Sequence, residues 1–182
     1  MEQFGVEAKS ESVRAHVSGP TSAGSDGLSN LQLATMAVAA AVTAANLYYC
    51  QPLLSQIAHD LHMTARETAD IPMLTQVGYA LGLLFLAPLG DMVERRALAT
   101  ALLLIVTVAL MGTASAPNAR MLLATSLLTG MFSVVPQVMA PMAAALSKTQ
   151  AHGRSVGIVM GGMLIGILLA RTVAGFIGTW FG

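Results

Sequence analysis

The segment Gly90-Asp91-Met92-Val93-Glu94-Arg95-Arg96 sets two carboxylates beside two guanidinium groups, between two long apolar stretches. At a helix end near a membrane surface, such a cluster can work as a charge latch. Asp91 would pair with an arginine or a helix N-terminus and so hold one conformation. A solvated loop carrying basic residues has the same composition, so the residue types leave both readings open. A second charge, Arg171, lies inside the last apolar stretch. A cation there costs at least about 2.5–3.5 kcal/mol on insertion scales. One reading makes Arg171 a cavity-facing cation for an anionic substrate or a carboxylate; the other ties it to a backbone carbonyl or sets it near the surface. The remaining apolar stretches carry acids only near their ends, at Asp70 and Asp91, which leaves substrate, water or a further helix as the partner of Arg171.

Neutral polar residues form a third group. Asn46 and Tyr49 are three apart, as are Tyr48 and Gln51; Gln76 and Tyr79 repeat that spacing with Thr75 beside them; Ser133, Gln137 and Pro141 recur every four. Both intervals put residues near one another on a helix. Amides and phenols in hydrocarbon must find partners or water, so these residues either bond between helices or line a shared central cavity. Asn46, Tyr49, Gln76, Tyr79, Gln137 and Arg171 are the cavity candidates. Finally, Gly162, Gly166, Ala170, Ala174 and Gly178 recur every four residues, a small-residue face that lets another backbone approach closely.

Catalytic groupings are absent. The sequence has no His-Glu-x-x-His, no Gly-x-Ser-x-Gly and no phosphate loop, and its four histidines lie in the N-terminal tail or in polar connectors. Cys50 stands alone, which excludes an internal disulfide and a cysteine-built metal site. The 12 methionines are scattered through apolar stretches as flexible packing residues. No enzyme activity, metal or cofactor is expected.

The elements that must position these groups are five apolar stretches, at about Leu31–Leu54, Ala69–Leu89, Leu98–Ala114, Met121–Leu146 and Val156–Phe176, the last extending toward Phe181. A hydrocarbon core about 30 Å thick takes about 20 apolar residues in helical form, and backbone groups in lipid must bond internally, which selects helices. Pro136 and Pro141 free carbonyls and kink the fourth. Hydrophobic residues are 55% of the chain and charged residues 10%, against about 25% charged in soluble domains; lipid must cover much of the surface. The formal net charge of +0 gives no basic field for nucleic acid. Residues 1–30 are polar, lack the apolar core of a secretory signal peptide and read as a disordered tail; residues 31–182 form the helical bundle. With the N-terminus in the cytoplasm, inside segments hold Lys9, Arg14, Arg95, Arg96, Lys148 and Arg154, and outside connectors only Arg66 and Arg120, as the positive-inside rule requires. The fold class is an all-α polytopic membrane protein with five transmembrane helices.

The stretch Ala87–Arg96 resembles the loop signature of the major facilitator superfamily, Gly-x-Leu-Ala-Asp-Arg-x-Gly-Arg-Arg. It matches at Leu89, Asp91, Arg95 and Arg96, with Ala87, Met92 and Glu94 in place of Gly, Arg and Gly. Asn46-Leu47-Tyr48-Tyr49-Cys50-Gln51-Pro52 is similar to the first helix of bacterial efflux-type members. Gly157, Gly166, Ala170, Arg171, Ala174 and Gly175 resemble the fifth-helix antiporter signature, with alanines at two glycine positions and Arg171 where proline is usual. The resemblance implies a partial N-terminal bundle: members have two six-helix halves of inverted three-helix repeats, and this chain carries one repeat and two helices of the next. It also implies that a small-molecule substrate (a drug, sugar or organic metabolite) crosses a bacterial inner membrane, outward, by rocking of two bundles, with protons as a candidate coupling ion. Gly90, Asp91, Arg95 and Arg96 would be the switch loop. The partners are the lipid bilayer, the substrate and a missing second half or another chain. The alternative is a small non-transporting helical membrane protein or a non-functional transporter fragment.

Overall fold

The computed structural model describes residues 28–181, and every regular element in them is helical. The helices are α1 (Asn30–Ala45), α2 (Leu54–Asp60), α3 (Ala65–Phe85), α4 (Leu89–Met92), α5 (Arg95–Ala114), α6 (Ala119–Phe132), α7 (Val135–Leu146) and α8 (His152–Phe181), with tighter turns at Gln51–Leu53 and Thr149–Ala151. The expected tail, residues 1–30, lies outside the described residues as far as position 27. Its last members are ordered: Ser29 caps α1, accepting from Gln32 N–H at 3.2 Å, while the Gln32 amide accepts from Ser29 N–H at 3.0 Å. Thr64 and Glu67 form the same reciprocal box at the start of α3. Between α2 and α3 the chain turns through His62, at φ 50°, and Met63 N–H closes back on Ala58 O at 2.9 Å.

Four stretches are long and apolar enough to span a membrane: Ala65–Met92, Arg95–Ala114, Ala119–Leu146 and Thr149–Trp180. The first expected span differs. The continuous helix expected from Leu31 to Leu54 stops at Ala45, and α1, at 16 residues, is about 24 Å long at 1.5 Å per residue. Beyond it the backbone tightens to three-residue hydrogen bonds, with Leu47 N–H on Ala44 O at 3.2 Å and Tyr48 N–H on Ala45 O at 3.0 Å. Pro52 keeps the α-helical pattern from resuming at Tyr48: it has no N–H for Tyr48 O, and that carbonyl instead accepts from Gln51 at 3.3 Å. The fourth span breaks at Ser133-Val134, where both residues have ψ near zero (13° and 8°). Pro136 cannot bond Phe132 O, and the Ser133 hydroxyl turns back to donate to Thr129 O at 2.6 Å.

The α6–α7 pair is the centre of the bundle: half of its membrane window is buried, against 11% for α8. On it pack α3 and α5 against α6, and α1, α5 and α8 against α7. The main core, including Ala40, Leu102, Val134, Val135, Val138, Ala143 and Val159, lies between α1, α5, α7 and α8. Two helix pairs approach through glycine. A Cβ added at Gly78 or Gly82 of α3 would strike Leu127 O or Met131 O of α6, and one at Gly130 of α6 would strike Thr75 O of α3. On the other side, Gly162 and Gly166 of α8 lie against Ala37 O and Ala41 O of α1. Hydroxyls inside the helices are satisfied on their own backbone, as Thr43 Oγ1 is on Ala39 O at 2.7 Å and Thr75 Oγ1 on Ile71 O at 2.9 Å.

Candidate functional site

The charged turn is built on a two-residue break. Val93 and Glu94 are extended (ψ 165° and 118°), which separates α4 from α5. Across that break Arg95 Nη2 donates to Asp91 Oδ1 at 2.9 Å, and Arg95 Nε donates to Gly90 O at 3.1 Å. The arginine therefore holds both a side chain and a backbone carbonyl of the preceding helix. A cation at the start of α5 opposes the helix dipole, and the Asp91 carboxylate offsets it. Arg96 points elsewhere. With Gln32, Thr35 and Thr100 it rims a cleft of about 330 Å³ whose floor includes Met36, Met139 and Met142. Gly90 is buried, yet a Cβ there would make only ordinary contacts, 3.7 Å from Leu98 and 3.9 Å from Val138; close approach does not require glycine at this position.

The cavity candidates separate into three places. Gln137 Nε2 donates to the Tyr79 hydroxyl at 3.1 Å, joining α7 to α3 across 58 positions. Gln76 is exposed on α3, one turn away. Arg171 is exposed on α8, where Nη2 donates to Gln51 Oε1 at 2.6 Å and the guanidinium carbon sits 5.9 Å from the centre of the Tyr48 ring. No carboxylate among the described residues pairs with it. A guanidinium has five N–H donors, so most of its hydrogen-bonding capacity stays available to an anionic group. Asn46 and Tyr49 lie apart from both, lining an interior pocket with Thr75 and Ser126. The Ser133-Gln137-Pro141 spacing does not give one common environment: Ser133 is buried, Gln137 half-buried and Pro141 exposed.

The small-residue face of α8 lies along α1 and its continuation. Gly162 and Gly166 meet Ala37 and Ala41, Ala170 and Ala174 are buried, and Gly178 sits against Leu53 and Gln56. Gln56 Nε2 donates to Gly178 O at 2.7 Å, fixing α2 on α8. Sequence reasoning left Gln51 and Tyr48 out of the candidate set, although their three-residue spacing was visible. It also missed the Gly78-Gly82 pair and the Thr113, Ser126 and Thr129 hydroxyls; Ser126 and Thr129 could have been found from their three-residue spacing on α6.

Long apolar helices, glycine-mediated helix pairs and internally satisfied hydroxyls define an integral, polytopic, all-α membrane protein. Residues 36–182 match the family model described as the Major Facilitator Superfamily, and the chain belongs to that family. It is 44% identical over 150 residues to the uncharacterized transporter YgaY of Escherichia coli O157:H7, an alignment covering 82% of this chain and 38% of that relative. It is 40% identical over 152 residues to a Streptomyces coelicolor protein named "Probable transporter SCO4007", covering 84% of this chain and 35% of the relative. The chain thus spans less than two-fifths of the length of these relatives. No solved structure gives a significant match.

Proposed function

We propose that this chain forms the first helical bundle of a secondary transporter that moves a small molecule, outward, across a bacterial inner membrane. The observation that carries the reading is the Asp91–Arg95–Gly90 bridge at the turn between α3 and α5, in a chain of this family whose relatives are named as transporters. In this reading the N-terminus is cytoplasmic, and the bridge closes one end of the bundle in one state and releases it in the other. Such a role suits an exposed pair. A solvent-facing ion pair is worth only about 0–1 kcal/mol, so its opening adds little to the barrier of a rocking step. The substrate path would form between this bundle and a second one, supplied by the same polypeptide or by another chain. Arg171, with Gln51 and Tyr48, would present a cation to that path, and Gln76 with the Tyr79–Gln137 pair would supply neutral hydrogen-bonding groups. An anionic or carboxylate-bearing small molecule is the substrate class this set suits, and protons are a candidate coupling ion.

The test is export by cells carrying the assembled transporter in an efflux-deficient host. Tolerance to at least one compound of an antibiotic and metabolite panel should rise, and both Asp91→Asn and Arg171→Ala should remove the gain while membrane insertion stays intact. Correctly inserted protein that changes tolerance to nothing, or an Arg171→Ala variant that exports normally, would overturn the proposal.

A further inference from the structure

At the end of the bundle away from Gly90, a largely enclosed pocket of about 40 Å³ lies between the end of α1, α3, α5 and α6. Its walls include Asn46, Cys50, Thr75, Thr113, Ser126 and Thr129. The hydroxyls have a common polarity. Thr75 Oγ1 donates to Ile71 O at 2.9 Å and Thr113 Oγ1 donates to Ala109 O at 3.0 Å. Each has its proton committed to its own helix, so only lone pairs are left to face the pocket; Thr129 Oγ1 lies 3.4 Å from Thr113 Oγ1. Two further groups are deeply buried yet lack a protein partner among the described residues. Asn46 is 8% exposed and Ser126 is 5% exposed, and neither side chain makes a hydrogen bond to the protein. Both residues line the pocket, and since every fully sealed side-chain polar atom in the described residues has a partner, neither the Asn46 amide nor the Ser126 hydroxyl is fully sealed.

This lining selects its occupant. An apolar group would leave the Asn46 amide and the Ser126 hydroxyl unsatisfied. A metal or monovalent cation would bring an uncompensated charge, because no acid lines the pocket. Water carries two donors for the lone pairs and two acceptor sites for the amide and the hydroxyl. At about 10–15 Å³ of such volume for each water, the space of about 40 Å³ admits about three. We propose that this pocket is a binding site for a small cluster of ordered waters, which bridges Asn46 at the unwound end of α1 to Ser126 on α6. The cluster hydrates the point where α1 gives way to tighter turns. It makes that point a solvated joint between α1 and the bundle centre, and it stands independently of the transport reading.

X-ray radiolytic footprinting of the full chain in nanodiscs tests it, because hydroxyl radicals formed from ordered water oxidise the side chains beside it. Ile71 lines the pocket and Leu102 does not, and both are 2% exposed, so they form a matched pair. Ile71 should label several-fold faster than Leu102. Asn46→Leu, which fills similar space without a polar atom, should bring Ile71 down to the Leu102 rate. If that variant does not fold, Thr113→Val removes an acceptor at nearly constant shape and should slow Ile71 labelling alone. Equal labelling of Ile71 and Leu102 in the parent chain would mean a dry pocket and overturn the proposal. Labelling that changes when sodium is exchanged for choline would assign the site to a cation, and would overturn it as well.

Discussion

Replacing Gly166 with alanine adds one methyl group where the α1 backbone passes closest to α8. That Cβ would stand 2.6 Å from both Cα and C of Ala41, with the carbonyl oxygen nearer still, whereas ordinary contact begins at 3.4 Å. The obstacle is backbone, so no rotamer change relieves it, and the two helices must separate by at least the difference, about 1 Å. A radial gap of about 0.5–1 Å forfeits a quarter to a half of the dispersion well for every atom pair along the contact, and overpacking of this kind costs about 1–3 kcal/mol. Alanine is also the better helix former by about 0.5–1 kcal/mol, which must be removed from the comparison. Gly161→Ala does so: it lies on the same helix and its Cβ would meet nothing within 4 Å. The difference between the two variants then isolates the close approach, at about 1–3 kcal/mol. SDS titration of the purified chain in mixed micelles, followed by far-ultraviolet circular dichroism, measures it. Gly161→Ala should unfold at the parent's SDS fraction or above, and Gly166→Ala well below. Coincident midpoints for the two variants would refute the geometry of the α1–α8 contact.

Gly130→Ala should lose stability in the same titration for the same reason, since its Cβ would strike Thr75 O of α3, by about 1–3 kcal/mol. Gly90→Ala should unfold at the parent's midpoint or above, because its Cβ would meet side chains only at 3.7 Å and beyond and alanine favours the helix; a large loss would contradict the packing around the charged turn. Asn118 caps α6 by accepting from Met121 N–H at 2.9 Å, so Asn118→Ala should destabilise by about 0.5–2 kcal/mol and raise amide exchange at Met121. Asp91→Asn removes an exposed ion pair and should change stability by less than about 1 kcal/mol, so a loss of export in that variant would reflect the transport cycle and not folding.

The sequence was most legible where structure is local. Apolar length alone marks the helices from Ala65 to Phe181, because hydrocarbon accepts no unpaired backbone. Ser29 sits before a helical run, and the four-residue interval between Asp91 and Arg95 brings those groups together across the turn. Proline also signalled trouble in the fourth span, although the break falls at Ser133-Val134, before Pro136, where the missing N–H and the Ser133 hydroxyl act together. The first span is apolar and helical as expected, but its regular helix ends at Ala45. Its hydropathy is continuous through Leu54, but the backbone tightens from Asn46 onward and Pro52 leaves Tyr48 O without its helical donor, and average hydropathy registers neither.

What the sequence by itself determined is membrane residence, helical class, the position of the charged turn and the four-residue rhythm of small residues on α8. Each depends on composition or on contacts within a few residues. Only the tertiary structure decided which backbone that rhythm receives, that Arg171 meets Gln51 from 120 positions away, and that Asn46 turns into an interior pocket while Gln76 stays exposed. These outcomes depend on the azimuth of one helix against another. Side chains three or four residues apart fix which groups share a face, but the direction of that face is set by the packing of distant glycines and carbonyls, which no local spacing encodes.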